Sequence, residues 1–83
     1  MSKRKDISER DINNVKSKLG KRLYELRIAK GYSLEYLANL CEVNRKHYPL
    51  IEKGEIDIRL STLEKLAIGL EIDLYELLDF NNN

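Results

Sequence analysis

The stretch Ser33–Gly54, SLEYLANLCEVNRKHYPLIEKG, decides the fold because it holds two short helical patterns separated by a three-residue break. Ser33 can accept hydrogen bonds from the amides of a first turn, so we predict a helix over residues 34–41. Asn44 is a favourable N-cap for another helix, which ends just before Gly54 because glycine readily adopts the left-handed conformation found at helix ends. The stretch therefore predicts two helices joined by a tight turn.

A longer helical pattern precedes this stretch. Apolar residues at steps of three or four predict a helix over residues 11–30, with Ser8 as part of its start signal and Gly31 as its stop. Gly20 lies inside the pattern and weakens a helix by about 1 kcal/mol relative to alanine. We therefore expect the segment before Gly20 to be a separate or frayed turn.

Two further helices follow the central stretch. The capping-box patterns at Ser61–Glu64 and Asp73–Glu76 predict the starts of a fourth and a fifth helix. No strand pattern of any length occurs in the sequence, so the fold class is all-α, a compact five-helix domain over residues 19–80. A basic, partly helical extension at 1–18 precedes this domain, and an asparagine tail at 81–83, expected to be disordered, follows it.

Length and composition restrict the class of protein. The chain has 83 residues, of which 42% are hydrophobic and 35% charged, as expected for one small domain. Its apolar runs are too short for a membrane span or a signal peptide, so we expect a cytoplasmic protein. One cysteine and one histidine form no internal disulfide and no metal-ligand cluster, and neither a metal nor a cofactor is expected.

The charge distribution is uneven along the chain. Residues 1–53 contain thirteen lysines and arginines against seven acidic residues, whereas residues 54–83 contain two against seven. An excess of positive charge in one half predicts a polyanionic partner for that half. Ordinary solubilising surface charge is the alternative explanation.

Three segments resemble a known family in their order and spacing. They are LGKRLYELRIAKGYSLEYLA at 19–38, VNRKHYPLIEKGE at 43–55 and LSTLEKLAIGLEIDLYELL at 60–78. Together they resemble the lambda-repressor-like, Cro-type helix-turn-helix regulators of bacteria and phages (the XRE family) over about residues 19–79. The resemblance implies a five-helix lambda-repressor-like domain that binds double-stranded DNA and takes no small-molecule ligand.

In such a domain the helix after the turn enters the major groove and presents its N-terminal residues to base edges. Arg45 is the first candidate for base recognition because its guanidinium can contact guanine O6 and N7 together, and Lys46 is the second. Leu50 stands at a position that the family uses for base contact, where leucine can only pack against a thymine methyl. Pro49 would contribute apolar contact, and because it lacks an amide we expect a tighter or kinked first turn.

The resemblance also implies supporting residues. The side chains expected at the DNA backbone are Ser33, Asn44, His47, Lys21, Arg22 and Arg59. Arg27 and Glu52 align with residues that pair the first helix to the recognition helix in members of the family. Glu42 stands where the family commonly has glycine, which has an energetic cost if the position is left-handed.

The last predicted helix, Asp73–Phe80, carries more apolar surface than one face of a monomer can bury. We expect Tyr75, Leu78, Phe80 and Ile72 to form a homodimer interface; the alternative is that they only complete the monomer core. The predicted function is a sequence-specific DNA-binding regulator, a repressor that acts as a homodimer on a palindromic operator.

The sequence bears on two other classes of function. One is a protein-interaction module with the same fold, such as an antitoxin or an antirepressor-like partner. The other, an enzyme, is not expected, because the sequence has no nucleophile with a base, no paired carboxylates in a pocket and no phosphate-binding glycine loop.

Overall fold

The structure, a computed structural model, describes residues 8–80 and folds them into five α-helices. These are α1 (Glu9–Lys30), α2 (Leu34–Leu40), α3 (Tyr48–Glu52), α4 (Leu60–Gly69) and α5 (Leu74–Leu77). No strand occurs within the described range, and the prediction of an all-α, five-helix fold is confirmed. None of these helices is both long and apolar enough to cross a membrane. The expected tail at 81–83 and the first seven residues of the expected extension lie outside the described range.

Helix α1 starts earlier than predicted and is not interrupted. The Ser8 hydroxyl accepts a hydrogen bond from the Asp11 amide at 3.2 Å, and the helix continues through Gly20 to Lys30. The expected break before Gly20 is therefore wrong, and the domain boundary expected after residue 18 falls within a continuous helix.

Gly20 is required by the packing of α1 on α3. A Cβ atom at this position would lie 2.2 Å from the backbone oxygen of Glu52 and 2.8 Å from that of Ile51, closer than real Cβ contacts. The absence of a side chain lets the two helix backbones cross in contact. The helix-propensity cost of Gly20 is thus offset by close packing of α1 against α3.

The core lies where all five helices meet. Leu23, Leu37 and Leu66 are completely buried, as the apolar pattern predicts, while Leu26 and Val43 pack against the core with partial exposure. The buried apolar residues are Leu19, Leu23, Leu37, Ala38, Cys41, Tyr48, Ile51, Leu63, Leu66, Ala67, Leu70 and Leu77. Tyr48 was not expected in this set.

Helix α3 is shorter than predicted. The sequence pattern placed its cap at Asn44 and its end at residue 53, but the helix covers only Tyr48–Glu52, with His47 at the N-cap position. Asn44 instead caps a preceding turn, because its side-chain oxygen accepts from the amides of Lys46 at 2.7 Å and His47 at 3.3 Å. We refer to residues 44–47 as the basic turn.

Pro49 accounts for the separation of the basic turn from α3. Proline has no amide to donate to the carbonyl of Arg45, so an unbroken helical ladder cannot pass this point. The next bonds, from the amides of Leu50 and Ile51, both go to the His47 carbonyl, at 2.9 and 3.2 Å. Pro49 lies in the first turn of α3, where amides need no helical partner. The turn directly after Asn44, which was expected to be a tighter or kinked first turn of the helix, is instead a separate turn closed by the His47 amide on the Asn44 carbonyl at 3.0 Å.

The remaining connections agree with the sequence in part. Glu42, in the turn after α2, has a φ of 57°. The position where the family commonly has glycine is therefore left-handed in this chain. Helix α4 begins at Leu60 with Arg59 as its N-cap, so the capping box predicted to start at Ser61 is wrong. At α5 the second box is present, since the Glu76 carboxylate accepts from the Asp73 amide at 3.1 Å.

Candidate nucleic-acid interface

The basic turn exposes the two side chains predicted to contact bases. Arg45 and Lys46 both project into solvent immediately before α3. The Arg45 guanidinium forms an ion pair through Nη1 with Oε2 of Glu35, in the first turn of α2, and the two side chains remain 63% exposed. The basic turn and the start of α2 therefore lie side by side, with the predicted base-contacting arginine between them.

Ser33 belongs to the same surface but already has a structural role. Its hydroxyl caps α2 by accepting a hydrogen bond from the Tyr36 amide at 3.0 Å. The α2 start and the Arg45 side chain meet through Glu35, which follows Ser33 by two residues. The structure thus brings a predicted backbone-contacting residue and a predicted base-contacting residue to one side of the domain.

Two shallow clefts flank α3. One is lined by Lys21 of α1 together with Leu34, Pro49 and Lys53. This cleft joins a predicted backbone-contacting lysine to the half-buried proline of α3, so Lys21 lies at the edge of the surface that carries the basic turn.

The second cleft lies on the side of the loop between α3 and α4. It brings together four predicted DNA contacts, which are Asn44, His47, Leu50 and Arg59. Glu42 and Asp57 line the same cleft, so its charge is mixed. The second cleft therefore holds one arginine, Arg59, against two carboxylates.

Arg22 does not join this surface. Its Nη2 atom donates a hydrogen bond to the Glu76 carbonyl at 2.8 Å, and the side chain is partly buried between α1 and α5. Its position does not support the predicted DNA-backbone contact. The guanidinium instead ties the first helix to the last one.

A buried polar network fixes α3 on α1. Arg27 pairs with Glu52 through two contacts, Nε to Oε2 at 2.7 Å and Nη2 to Oε1 at 3.1 Å, and both side chains are only 9% exposed. The Nη1 atom of Arg27 also donates to the Tyr32 carbonyl at 2.9 Å. The ion pair that the family resemblance implied is therefore formed, and it holds the end of α3 that lies away from the basic turn.

Tyr48 completes this network, and it is the functional-site residue that sequence reasoning missed. Its ring is fully buried and its hydroxyl donates to Oε2 of Glu52 at 2.6 Å. Tyr48 lies three residues before Ile51 and four before Glu52, so helical spacing places the three on one face, and that spacing was the available signal.

The pKa shifts within the network favour one protonation state. The hydrogen bond with Glu52 raises the pKa of Arg27, and burial followed by the hydrogen bond to Glu52 raises the pKa of Tyr48 far above its ordinary value. Arg27 is therefore a permanent cation, and Tyr48 a neutral donor. With every partner satisfied, the network supports α3 as a rigid element.

The predicted dimer residues divide into two groups. Tyr75 is 74% exposed and Leu78 39%, so both present apolar surface to solvent at the α5 end. Ile72 and Phe80 are partly buried against the core. Ile68 of α4 is also 66% exposed, but it lines a cleft beside Tyr36 and Leu40 of α2.

These features define a class of protein. A short helix fixed by a buried ion pair, preceded by an exposed basic turn and supported by a second short helix, is the arrangement of a helix-turn-helix DNA-binding domain. The chain belongs to the helix-turn-helix family, since the family model of that description matches residues 23–77. It is a DNA-binding transcriptional regulator and not an enzyme, and this assignment favours the regulator over the protein-interaction module.

Individual relatives agree with the family. The chain is 37% identical over 67 residues to control protein C.MunI of a Mycoplasma species, covering 80% of this chain and 90% of that protein. It is 32% identical over 68 residues to a hypothetical transcription factor of Neisseria meningitidis serogroup B, covering 82% of this chain but only 64% of that protein.

A solved structure gives the same result for the fold. The crystal structure of the restriction-modification controller protein C.AhdI from Aeromonas hydrophila has a TM-score of 0.73 and 40% sequence identity to this chain. The similarity covers 82% of this chain and 97% of that one. The described helices therefore correspond to nearly all of a protein with this architecture.

Proposed function

We propose that this protein is a homodimeric repressor that binds a palindromic DNA operator and reads its bases with the basic turn and the first residues of α3. The observation that carries the proposal is the exposure of Arg45 and Lys46 on the basic turn. This turn leads directly into α3, and the buried ion pair between Arg27 and Glu52 anchors α3 to α1. A rigidly anchored helix is needed because base recognition depends on placing hydrogen-bond donors accurately at the groove edge.

The roles of individual residues follow from their positions. Arg45 would contact guanine, Lys46 the same groove edge or a phosphate, and Pro49 and Leu50 the apolar surface of the groove. Backbone contacts would come from both sides of α3, from Lys21 and from the residues of the second cleft, Asn44, His47 and Arg59.

Dimerisation would use the exposed apolar surface around α5. Tyr75 and Leu78 would form its centre, with Ile72 and Phe80 at its edge. A two-fold dimer spaces two recognition helices by about 34 Å, one turn of DNA, so each half-site of the operator would bind one protomer. Binding would then depend on protein concentration through the dimerisation equilibrium.

The regulatory role is proposed from the relatives. The Mycoplasma and Aeromonas proteins are named as control proteins, the latter of a restriction-modification system. We infer the same kind of role here, a regulator of promoter activity in the cytoplasm whose own concentration sets the response, acting by promoter occlusion.

A salt titration tests the DNA-binding proposal. Equilibrium binding to a random duplex should weaken steeply between about 50 and 200 mM salt, because each neutralised phosphate releases counterions. A Lys46→Ala variant should show a smaller salt slope, whereas Lys65→Ala, an exposed change on α4, should match the unchanged protein. Absence of duplex binding even at the lowest salt would exclude the proposed function.

A further inference from the structure

The ion pair between Glu35 and Arg45 has a position that the general DNA-binding scheme does not explain. Both residues are exposed, and they come from different segments, α2 and the basic turn. A carboxylate on a DNA-binding surface repels phosphate, so its charge taken alone weakens binding to DNA. Glu35 therefore opposes DNA binding by its charge, yet it contacts Arg45, the side chain proposed to recognise a base.

The geometry of the pair leaves the arginine able to bind DNA. Glu35 engages Nη1 of Arg45, which occupies one of the five N–H donors of a guanidinium. The edge formed by Nη2 and Nε can still meet guanine O6 and N7 as a fork. Glu35 therefore restricts the orientation of the guanidinium without removing its capacity for bidentate recognition.

The exposure of the pair limits what it can do for folding. Both side chains are 63% exposed, and an exposed ion pair contributes little to stability because solvent screens it. The pair nevertheless reduces the rotamers available to a long side chain before DNA arrives, and such preorganisation improves binding in the matched geometry. Its principal effect should accordingly be on DNA discrimination.

We propose that Glu35 is a specificity-determining residue: its carboxylate orients Arg45 toward a base edge and repels phosphate in complexes that lack the matching base. The inference rests on the proposed function. Without Glu35, Arg45 would be free to contact any nearby phosphate, so non-specific complexes would gain while the specific complex would lose its oriented contact. Glu35 thus acts by positioning Arg45 and by penalising the wrong complexes.

The test is a double-mutant cycle on the ratio of two affinities. Duplexes selected by the unchanged protein are compared with the same duplexes altered at the base pair where Arg45→Ala reduces the preference most. Glu35→Gln should lower the specificity ratio by about two- to fivefold, the scale of an exposed ion pair, and should bind random duplex at least as tightly. In the Arg45→Ala background, Glu35→Gln should leave the ratio unchanged.

Controls separate this effect from loss of charge and from unfolding. Glu64→Gln removes the same charge from an exposed site on α4 and should leave the specificity ratio unchanged. Thermal unfolding of Glu35→Gln should remain close to that of the unchanged protein. An unchanged ratio for Glu35→Gln, or an equal fall in both Arg45 backgrounds, would overturn the inference.

The cycle also distinguishes failure of the inference from failure of the proposed function. If the unchanged protein discriminates between the duplexes and Arg45→Ala relaxes that discrimination, the function stands whatever Glu35→Gln does. If the unchanged protein binds no duplex, both proposals are contradicted.

Discussion

At the scale of single residues, the anchoring of α3 depends on three side chains acting together. Arg27, Glu52 and Tyr48 satisfy one another in a site that is almost closed to water. Removing one partner of a buried pair leaves an uncompensated charge, at a cost of about 3–5 kcal/mol. The network should thus control both stability and the orientation of the DNA-binding helix.

Tyr48→Phe tests the role of the tyrosine hydroxyl. At neutral pH the variant should lose about 1.5–3 kcal/mol of unfolding free energy, because a hydrogen bond to a carboxylate disappears. The folded state raises the pKa of Tyr48, so above about pH 10 the unfolded chain releases a proton that the folded protein keeps. The stability of the unchanged protein should therefore fall more steeply above pH 10, and its advantage over Tyr48→Phe should shrink.

Urea unfolding of both proteins from pH 7 to 11 provides the measurement. Burial also raises the pKa of Cys41, but that thiol is present in both proteins and its contribution cancels in the difference. A stability difference that stayed constant with pH would contradict the assigned role of the hydroxyl.

The ion pair could be predicted from the sequence because the family resemblance identifies its two positions. The role of Tyr48 could not, because it depends on whether the side chain is buried. Arg27 and Glu52 could be paired from the resemblance. Tyr48 could not be assigned to the core easily, since basic residues precede it and proline follows, and only its spacing to Ile51 indicated an inward face. Glu42 was expected to carry a backbone cost if its position is left-handed, and its φ of 57° meets that condition.

At the scale of helices, the exact ends depend on local chemistry that apolar periodicity does not describe. The start of α3 is set by Pro49, which has no amide to continue the ladder from the basic turn. The N-cap of α4 is Arg59, two residues before the predicted Ser61, and it makes no side-chain capping bond. The existence and order of the helices could be predicted from periodicity, whereas these starts depend on single residues that periodicity does not describe.

Gly20→Ala tests the contact between α1 and α3. Helix propensity alone favours alanine by about 1 kcal/mol. The added Cβ would lie 2.2 Å from the Glu52 backbone oxygen, which cannot move without separating the helices. We expect a net destabilisation of about 1–3 kcal/mol, as for other overpacked sites, together with weaker DNA binding.

Chemical denaturation of Gly20→Ala beside Asn13→Ala measures this effect. Asn13 is exposed on the same helix, so its replacement should be neutral or slightly stabilising. If Gly20→Ala were as stable as the Asn13 variant, the close helix crossing would not be the reason for the glycine.

At the scale of the whole molecule, positive and negative charge divide unevenly between the two halves of the chain. The basic half contributes the basic turn and Lys21, while the acidic half contains α4, α5 and the exposed apolar residues Tyr75 and Leu78. This division was visible in the sequence, but which cations share a surface was not. Arg22 illustrates the difference, because it lies in the basic half yet contacts α5.

Leu78→Glu tests the proposed dimer. A charge at the centre of an apolar interface should leave the fold intact but shift the protein to monomer, since burying an unpaired carboxylate is costly. Sedimentation equilibrium of the unchanged protein, Leu78→Glu and the control Val15→Glu measures the change; Val15 is 54% exposed on α1. A folded Leu78→Glu variant with an unchanged dimer mass would exclude this interface.

Selection of bound sequences from a random duplex pool, performed with the unchanged protein and with Arg45→Ala, tests the central claim most directly. The unchanged protein should enrich a two-fold symmetric site with half-sites about one helical turn apart. Arg45→Ala should relax the preference at one base pair in each half-site, with a loss of about 1–3 kcal/mol at that position. An identical base profile for the two proteins, or no enrichment by the unchanged protein, would contradict base reading by the basic turn.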